Sequence, residues 1–344
     1  MLLLLALLWM AADEPAPPEP APPELQSETR FALSLIEEGE WAAGLRVPGP
    51  EAGNLLIVEP SFSWKDGQRW SFTASLAGLA ETRDDTSVEL RVRETYLGFT
   101  TRDFDFSAGK RILRWGTGYA FTATGVLDPR RNPLDPTDRL NLNEGREMAT
   151  AEWVQGRSAF TAVWASAGLF GTRQAGMQDT LAFRYNTLLD GFDTSLIVAK
   201  FGGGATFLGA NFTRVFGEAV EIHGEFAHGD TSAVLLGGKY TLRSGFGTIF
   251  EFYSPGTGSR YAYLRAAKSR LRELPGWKEW DLAASLVANL GDRSRVLVLD
   301  ATRRLGRHFS LYGEVLAPSG KEWRSQYGMI PYAALLSAGI RVQL

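Results

Sequence analysis

The sequence predicts an all-β protein, a transmembrane antiparallel up-and-down β-barrel of about 18 strands, or about 16 if the two weakest fail. Three observations carry this. Apolar and polar residues alternate with period two from about residue 30 onward, over some 300 residues. The connections fall into a tight set and a long set. The chain ends in an alternating strand, with Ala338, Ile340, Val342 and Leu344 opposing Gly339, Arg341 and Gln343.

Composition narrows the class. The chain has 344 residues, no cysteine, 44% hydrophobic residues, 12% aromatics and 37 glycines. Disulfides and thiolate metal sites are excluded. Beyond the leader, no apolar run approaches the ~18 residues of a membrane helix. The net charge of −3 is uneven: five acids against Arg30 leave −4 on residues 13–30 and +1 on the rest. Net charge gives no case for nucleic acid.

Residues 1–12, MLLLLALLWMAA, read as a secretory signal peptide, with an apolar run ending in small residues. No Lys or Arg precedes the run, and Met10 interrupts an A-x-A site. Residues 13–29 read as a Pro/Glu-rich periplasmic linker, with six prolines within residues 13–24. Residues 30–344 are the expected barrel.

The strands follow in order. Trp70, Phe72, Ala74 and Leu76 alternate with Ser71, Thr73 and Ser75. Residues 88–100 and 103–113 form two short strands around Thr101-Arg102, then run into a proline-broken loop, 114–146. Phe160, Ala162 and Trp164 continue the pattern, as do Leu181, Phe183 and Tyr185 against Arg184 and Asn186. Val220, Ile222, Gly224 and Phe226 oppose Glu221, His223 and Glu225. Phe246, Phe250 and Phe252 oppose Glu251; Phe309, Leu311 and Val315 oppose Ser310, Tyr312 and Glu314. In a membrane barrel the apolar face meets lipid and the polar face lines the lumen.

Tight turns are expected at 65–67, 101–102, 155–156, 190–191 and 244–245, and longer loops at 37–53, 114–146, 170–177 and 318–331. Short turns on the periplasmic side and long external loops suit an outer-membrane barrel. Counting back from the last strand agrees with counting forward only if 30–37 and 259–268 are both strands, although SRYAYLRAAKSRLREL has local helix propensity. Competing all-β readings are a secreted solenoid, which would need a fixed-period repeat, and paired sandwiches.

Residues 88–135 resemble a group of bacterial outer-membrane porin-like proteins, distantly similar to alginate-export-type barrels. The likeness rests on ELRVRETYLGF, FDFSAGKRILRWG and VLDPRRNPLDP. The matching positions are Arg93, Glu94, Tyr96, Gly109, Lys110, Arg111, Trp115, Gly116, Asp128, Pro129 and Arg130. The chain departs from the pattern with D-P-R for N-P-R and Lys110-Arg111 for Arg-Gln. The resemblance implies a passive or gated channel in the bacterial outer membrane, not an enzyme. Its partners would be outer-membrane lipid, small solutes and the barrel-insertion machinery.

The residues themselves agree. Arg91, Arg93, Arg111, Arg184, Glu221, Glu225, Glu251 and Glu314 fall opposite apolar faces and are expected to line the pore, where rings of charge set selectivity. Such charges also pair into networks that stiffen a wall. Alternation breaks near Arg93-Glu94, where a β-bulge would turn both side chains inward and add Glu94 to the expected pore lining. Trp115, Asp128, Pro129, Arg130 and Asp135 lie in the loop expected to narrow the lumen, stiffened by its prolines.

No cofactor or metal is expected. The loop's Asp and Asn residues match no EF-hand spacing. Glu221-x-His223-x-Glu225 is a same-face cluster that more often is solvated than metal-bound. His308 and Ser310 share a strand face, but that face points to the lumen, and hydrolysis lacks an evident third partner. A non-conducting structural or adhesion barrel is the second reading.

Overall fold

The computed structural model describes residues 27–47, 49–83, 85–168, 177–271 and 276–344. Its first strands are long: β1 (Glu28–Ala43), β2 (Ala52–Lys65), β3 (Trp70–Thr82) and β4 (Thr86–Thr100). Shorter strands follow: β5 (Phe104–Arg111), β6 (Arg146–Gln155), β7 (Ser158–Ala165), β8 (Thr180–Leu189) and β9 (Phe192–Phe201). Next come β10 (Thr206–Phe216), β11 (Val220–His228), β12 (Ser232–Thr241), β13 (Phe246–Ser254) and β14 (Tyr261–Lys268). The wall finishes with β15 (Trp280–Asn289), β16 (Ser294–Arg304), β17 (Phe309–Ser319) and β18 (Ala334–Gln343).

Each strand pairs antiparallel with its sequence neighbours, and β18 pairs back onto β1, so the 18-stranded sheet closes. Closure leaves no unpaired edge around the ring, which a wall in lipid requires. The expected strand at 259–268 is β14. Phe250 and Leu264 meet across β13–β14 on the outer face, and Glu251 and Tyr263 on the inner, so its alternation continues that of its neighbours.

Phe250, Phe183, Phe226, Leu236 and Trp164 are each about half exposed on the exterior, the face assigned to lipid. No helix among the described residues is long and apolar enough to cross a membrane. The barrel crosses with its strands.

Three expectations change. The loop at 37–53 is shorter, because β1 continues to Ala43 and β2 begins at Ala52. Its charges are strand residues: Glu38 and Glu40 point inward to Arg139 and Arg83. The loop expected at 114–146 spans 112–145, between Arg111 and Arg146. The lumen face is not uniformly polar. Ile36, Ile57, Ile197, Leu235, Val287 and Val298 point inward and are fully buried. They form an apolar girdle that the loop covers. The signal peptide and most of the linker fall outside the described residues, as does nearly all of the loop at 170–177.

The expected bulge is present. Ser75 pairs with Glu94 and Leu76 with Val92, so Arg93 is the extra residue of β4. The bulge frees the Arg93 carbonyl, and the Gly145 N–H donates to it at 2.9 Å, fixing the loop's return to the wall.

Candidate functional site

The site is built by residues 112–145 crossing the lumen. Three apolar contacts fix the crossing. Ala120 and Phe121 join Leu235, Tyr263, Val287 and Val298. Trp115 and Leu127 join Met148, Val163, Ala182 and Ile197. Leu140 and Leu142 pack against Ile36, Ile57 and Ala77. Each large apolar side chain buried this way contributes roughly 1.5–3 kcal/mol.

A loop inside a barrel must satisfy its own backbone. Here the wall supplies the acceptors. Glu225 on β11 accepts the backbone N–H groups of Thr117 (2.6 Å), Gly118 (2.8 Å), Ala123 (2.6 Å) and Thr124 (2.7 Å). It also accepts the hydroxyls of Thr117, Thr122 and Thr124. Glu251 on β13 accepts the N–H groups of Tyr119, Ala120 (2.9 Å) and Phe121 (3.2 Å). His223 lies between, with Nε2 3.1 Å from Glu251. Asn211 donates to the Trp115 carbonyl at 2.8 Å. A Cβ at Gly118 would lie 2.7 Å from Leu235, so the chain approaches the wall this closely only as glycine.

The loop's aspartates act locally. Asp128 accepts the Trp115 N–H at 2.7 Å and pairs with Arg131 at 3.3 Å. Asp135 accepts the Arg139 N–H at 2.8 Å, and Asp138 those of Leu142 (2.8 Å) and Asn143 (3.1 Å). Burial holds the Asp128 and Asp135 carboxyls above the usual aspartate range, their N–H and arginine partners offsetting part of it. The oxygen-rich stretch is spent on turns, and no cluster of three metal-ligating side chains occurs among the described residues.

Two cavities flank the loop and share Asp138 and Arg139. One, about 440 Å³, lies toward the termini and includes Glu59, Arg93, Asn141 and Arg341. The other, about 350 Å³, lies on the opposite side and includes Glu38, Pro129, Arg130 and Glu314. Arg139 is held by Glu38 (2.5 Å) and Glu314 (3.5 Å), and stands 4.8 Å over the Tyr312 ring. Arg341 donates to its carbonyl.

The remaining charges are placed as follows. Arg93 donates to Asn141 Oδ1 at 2.6 Å and to the Asn143 carbonyl at 3.2 Å. Glu94 accepts the Ile112 N–H at 2.8 Å. Arg91 lies 3.8 Å from Glu144. Arg111 donates to Ser107 and stands over Tyr96. Arg184 donates to Ser195 at 3.0 Å. Glu221 accepts the Tyr119 hydroxyl at 3.0 Å.

Glu225 and Glu251, expected to line the pore, are buried beneath the loop, where its backbone donors fill them. His223 is buried rather than solvated. His308 is exposed in the turn before β17. Sequence reasoning missed Arg139 within the loop, and Glu38, Glu59, Asn211 and Arg341 as its partners on the wall. Glu38 and Glu59 sit on inward faces of β1 and β2, which was the available signal.

A closed antiparallel wall with an apolar exterior and a loop folded across its lumen defines a transmembrane β-barrel of the bacterial outer-membrane porin fold. Solved structures agree on the architecture. Pseudomonas aeruginosa OccD3 (OpdP) superposes with a TM-score of 0.62 at 11% identity, over 94% of this chain and 92% of that one. Acinetobacter baumannii OccAB4 gives 0.61 at 7% identity, over 94% and 99%. A triple mutant of the Rhodopseudomonas blastica porin gives 0.50 at 8% identity, over 92% and 100%. At these identities the likeness is one of fold. No protein-family model matches the sequence, and no curated protein matches it.

Proposed function

We propose that this barrel is a passive outer-membrane channel for small hydrophilic or amphipathic solutes, carrying out no reaction. In this reading residues 112–145 set its constriction and Asp138–Arg139 its narrowest charged step. The observation that supports it best is the pair of cavities on opposite sides of the loop, which share those two residues. Charges facing one another across a narrow polar path select solutes by sign and size. Arg91, Arg93, Arg111, Arg184, Glu221 and Glu314 act around that path. The motifs at 88–135 favour a relative of alginate-export-type barrels, and the bulge and loop root fall within them.

The test is planar-bilayer conductance of refolded protein. Discrete single-channel steps are expected. Their absence from protein whose heat-modifiable gel migration proves it folded refutes the channel reading. A second reading is favoured by the loop's three apolar contacts, which reach opposite sides of the wall. A loop so docked is also suited to plugging a structural or adhesion barrel. The same recording separates the two.

A further inference from the structure

The exterior is uneven. Around β5–β8 it carries Phe104, Phe106, Trp153, Phe160 and Phe183. On β16–β18 the outward residues Ala301, Gly313 and Ala338 are small beside the larger Leu299, Val315 and Leu336, and all six line a concave apolar cavity of about 650 Å³. Register connects its floor. Lys268 pairs with Leu282, Leu282 with Ala301, Ala301 with Gly313, and Gly313 with Ala338. A side chain at Gly313 would touch nothing closer than the Ser337 carbonyl at 3.7 Å, so the space beside it is open.

This row is a climbing trough. Lys268 is the last residue of β14, at the barrel end that holds the termini. Leu282 is near that end of β15, Ala301 is further from it on β16, Gly313 further still on β17, and Ala338 is mid-strand on β18. Four inter-strand steps of ~4.8 Å give a trough roughly 19 Å long. With strands tilted by about 40°, it rises about 12 Å, close to the ~15 Å depth of one leaflet.

Its lower end opens at a basic rim. Arg243, Arg270, Arg303 and Arg307 are exposed there; Arg304 pairs with Asp281, and Lys268, which donates to the Ser244 carbonyl, stands beside them. Trp277 and Trp280 lie at the same level with ring centroids 5.2 Å apart, where aromatic side chains gather at a headgroup layer. An apolar trough that starts among cations and ends at mid-membrane matches one ligand: a glycerophospholipid with an anionic headgroup. An anionic phosphate is drawn to such a rim as basic residues near a bilayer are drawn to anionic lipid.

We propose that β14–β18 bind an anionic phospholipid of the adjoining leaflet, with one acyl chain in the Leu282–Ala301–Gly313–Ala338 trough and the phosphate among Lys268, Arg270 and Arg303. The proposal rests on membrane insertion of the barrel and not on conduction, so a failed conductance assay leaves it standing.

Native mass spectrometry of detergent-purified barrel tests it, with dioleoylphosphatidylglycerol and dioleoylphosphatidylcholine as probes. The folded wild type retains one phosphatidylglycerol in preference to phosphatidylcholine. Ala301→Leu with Gly313→Leu fills the trough and lowers retention of both lipids by about tenfold. Lys268→Gln with Arg303→Gln removes the headgroup preference while phosphatidylcholine binding persists. Heat-modifiable migration certifies each variant as folded, and Phe183→Leu, on the far side, controls for the exterior at large. Retention unchanged by the filling variant overturns the proposal. So does a stable dimer or trimer that the same variant dissociates, which assigns the face to a second copy.

Discussion

Replacing Glu225 by alanine withdraws the acceptor from four backbone N–H groups and three hydroxyls at once. A buried N–H left unpaired costs about 1–3 kcal/mol, so the four together cost roughly 4–12 kcal/mol if the loop stays docked. Water entering the vacated space recovers part of this. The low end alone shifts the docked–undocked balance of the loop by about a thousandfold. The wall itself keeps its full ladder of strand pairs, so the variant remains a barrel. Trypsin reads the outcome, because Arg114, Arg130, Arg131 and Arg139 lie in the loop. Wild type resists cleavage there, whereas Glu225→Ala is cut at these arginines while still migrating as a folded barrel. Glu225→Gln also loosens the loop, since its amide group turns a donor toward donors. Equal cleavage rates for wild type and Glu225→Ala refute the anchoring argument.

Other perturbations follow from the same geometry. Arg139→Ala joins the two cavities and leaves Glu38 and Glu314 without their cation, so bilayer recordings should show larger steps and a shift toward cation selectivity; unchanged reversal potentials in a salt gradient count against this. Phe183→Arg places a charge on the outward face and lowers barrel stability by about 2–4 kcal/mol if it lies at the midplane, measured as reduced denaturant resistance in lipid vesicles. An unaffected unfolding midpoint would mean this face does not meet lipid. Trp115→Ala opens a cavity in the cluster with Leu127 and Ile197, so its loop is cut faster than wild type by the same trypsin assay, with a cost of about 3–5 kcal/mol when fully expressed.

Much of the wall was legible because its rule is local. Period-two alternation locates Phe250 and Glu251 on opposite faces without knowledge of any distant residue. Strand direction follows from turn lengths, which is why β14 emerged from parity despite its helix propensity. The Arg93 bulge was legible as a break in alternation. The apolar girdle left a trace that the two-face reading passed over: Leu196–Ile197–Val198–Ala199 and Val296–Leu297–Val298–Leu299 are apolar on both faces. In a lipid-embedded wall, such runs mean that something covers the lumen side. The anchors were not legible, since Glu225 and Gly118 are 107 residues apart and no local pattern links a wall carboxylate to a loop N–H. Arg139 carries no sequence signal of its own; its role arises only when Glu38, Tyr312 and Glu314 converge on it.

The loop is held by different forces on its two sides, and that bears on which side is adjustable. Against β10–β13 its backbone donors meet buried carboxylates at hydrogen-bond distance, in a setting that salt screens little. Against β1, β2, β4 and β17 it relies partly on longer ion pairs beside the cavities, such as Arg139–Glu314 at 3.5 Å. The Arg93–Glu59 pair that faces it there is longer still, at 3.9 Å, but both of its side chains are buried, which sets it apart from the Arg139 pair. Ion pairs of this length next to solvent weaken as ionic strength rises. Raising salt therefore acts first on Arg139–Glu314, before the shorter Arg139–Glu38 pair, and leaves the Thr117–Thr124 tip docked. In the proposed channel the narrow step is then set by side-chain ion pairs that a solute's own charge is able to replace, while the fixed part of the loop only holds them in register.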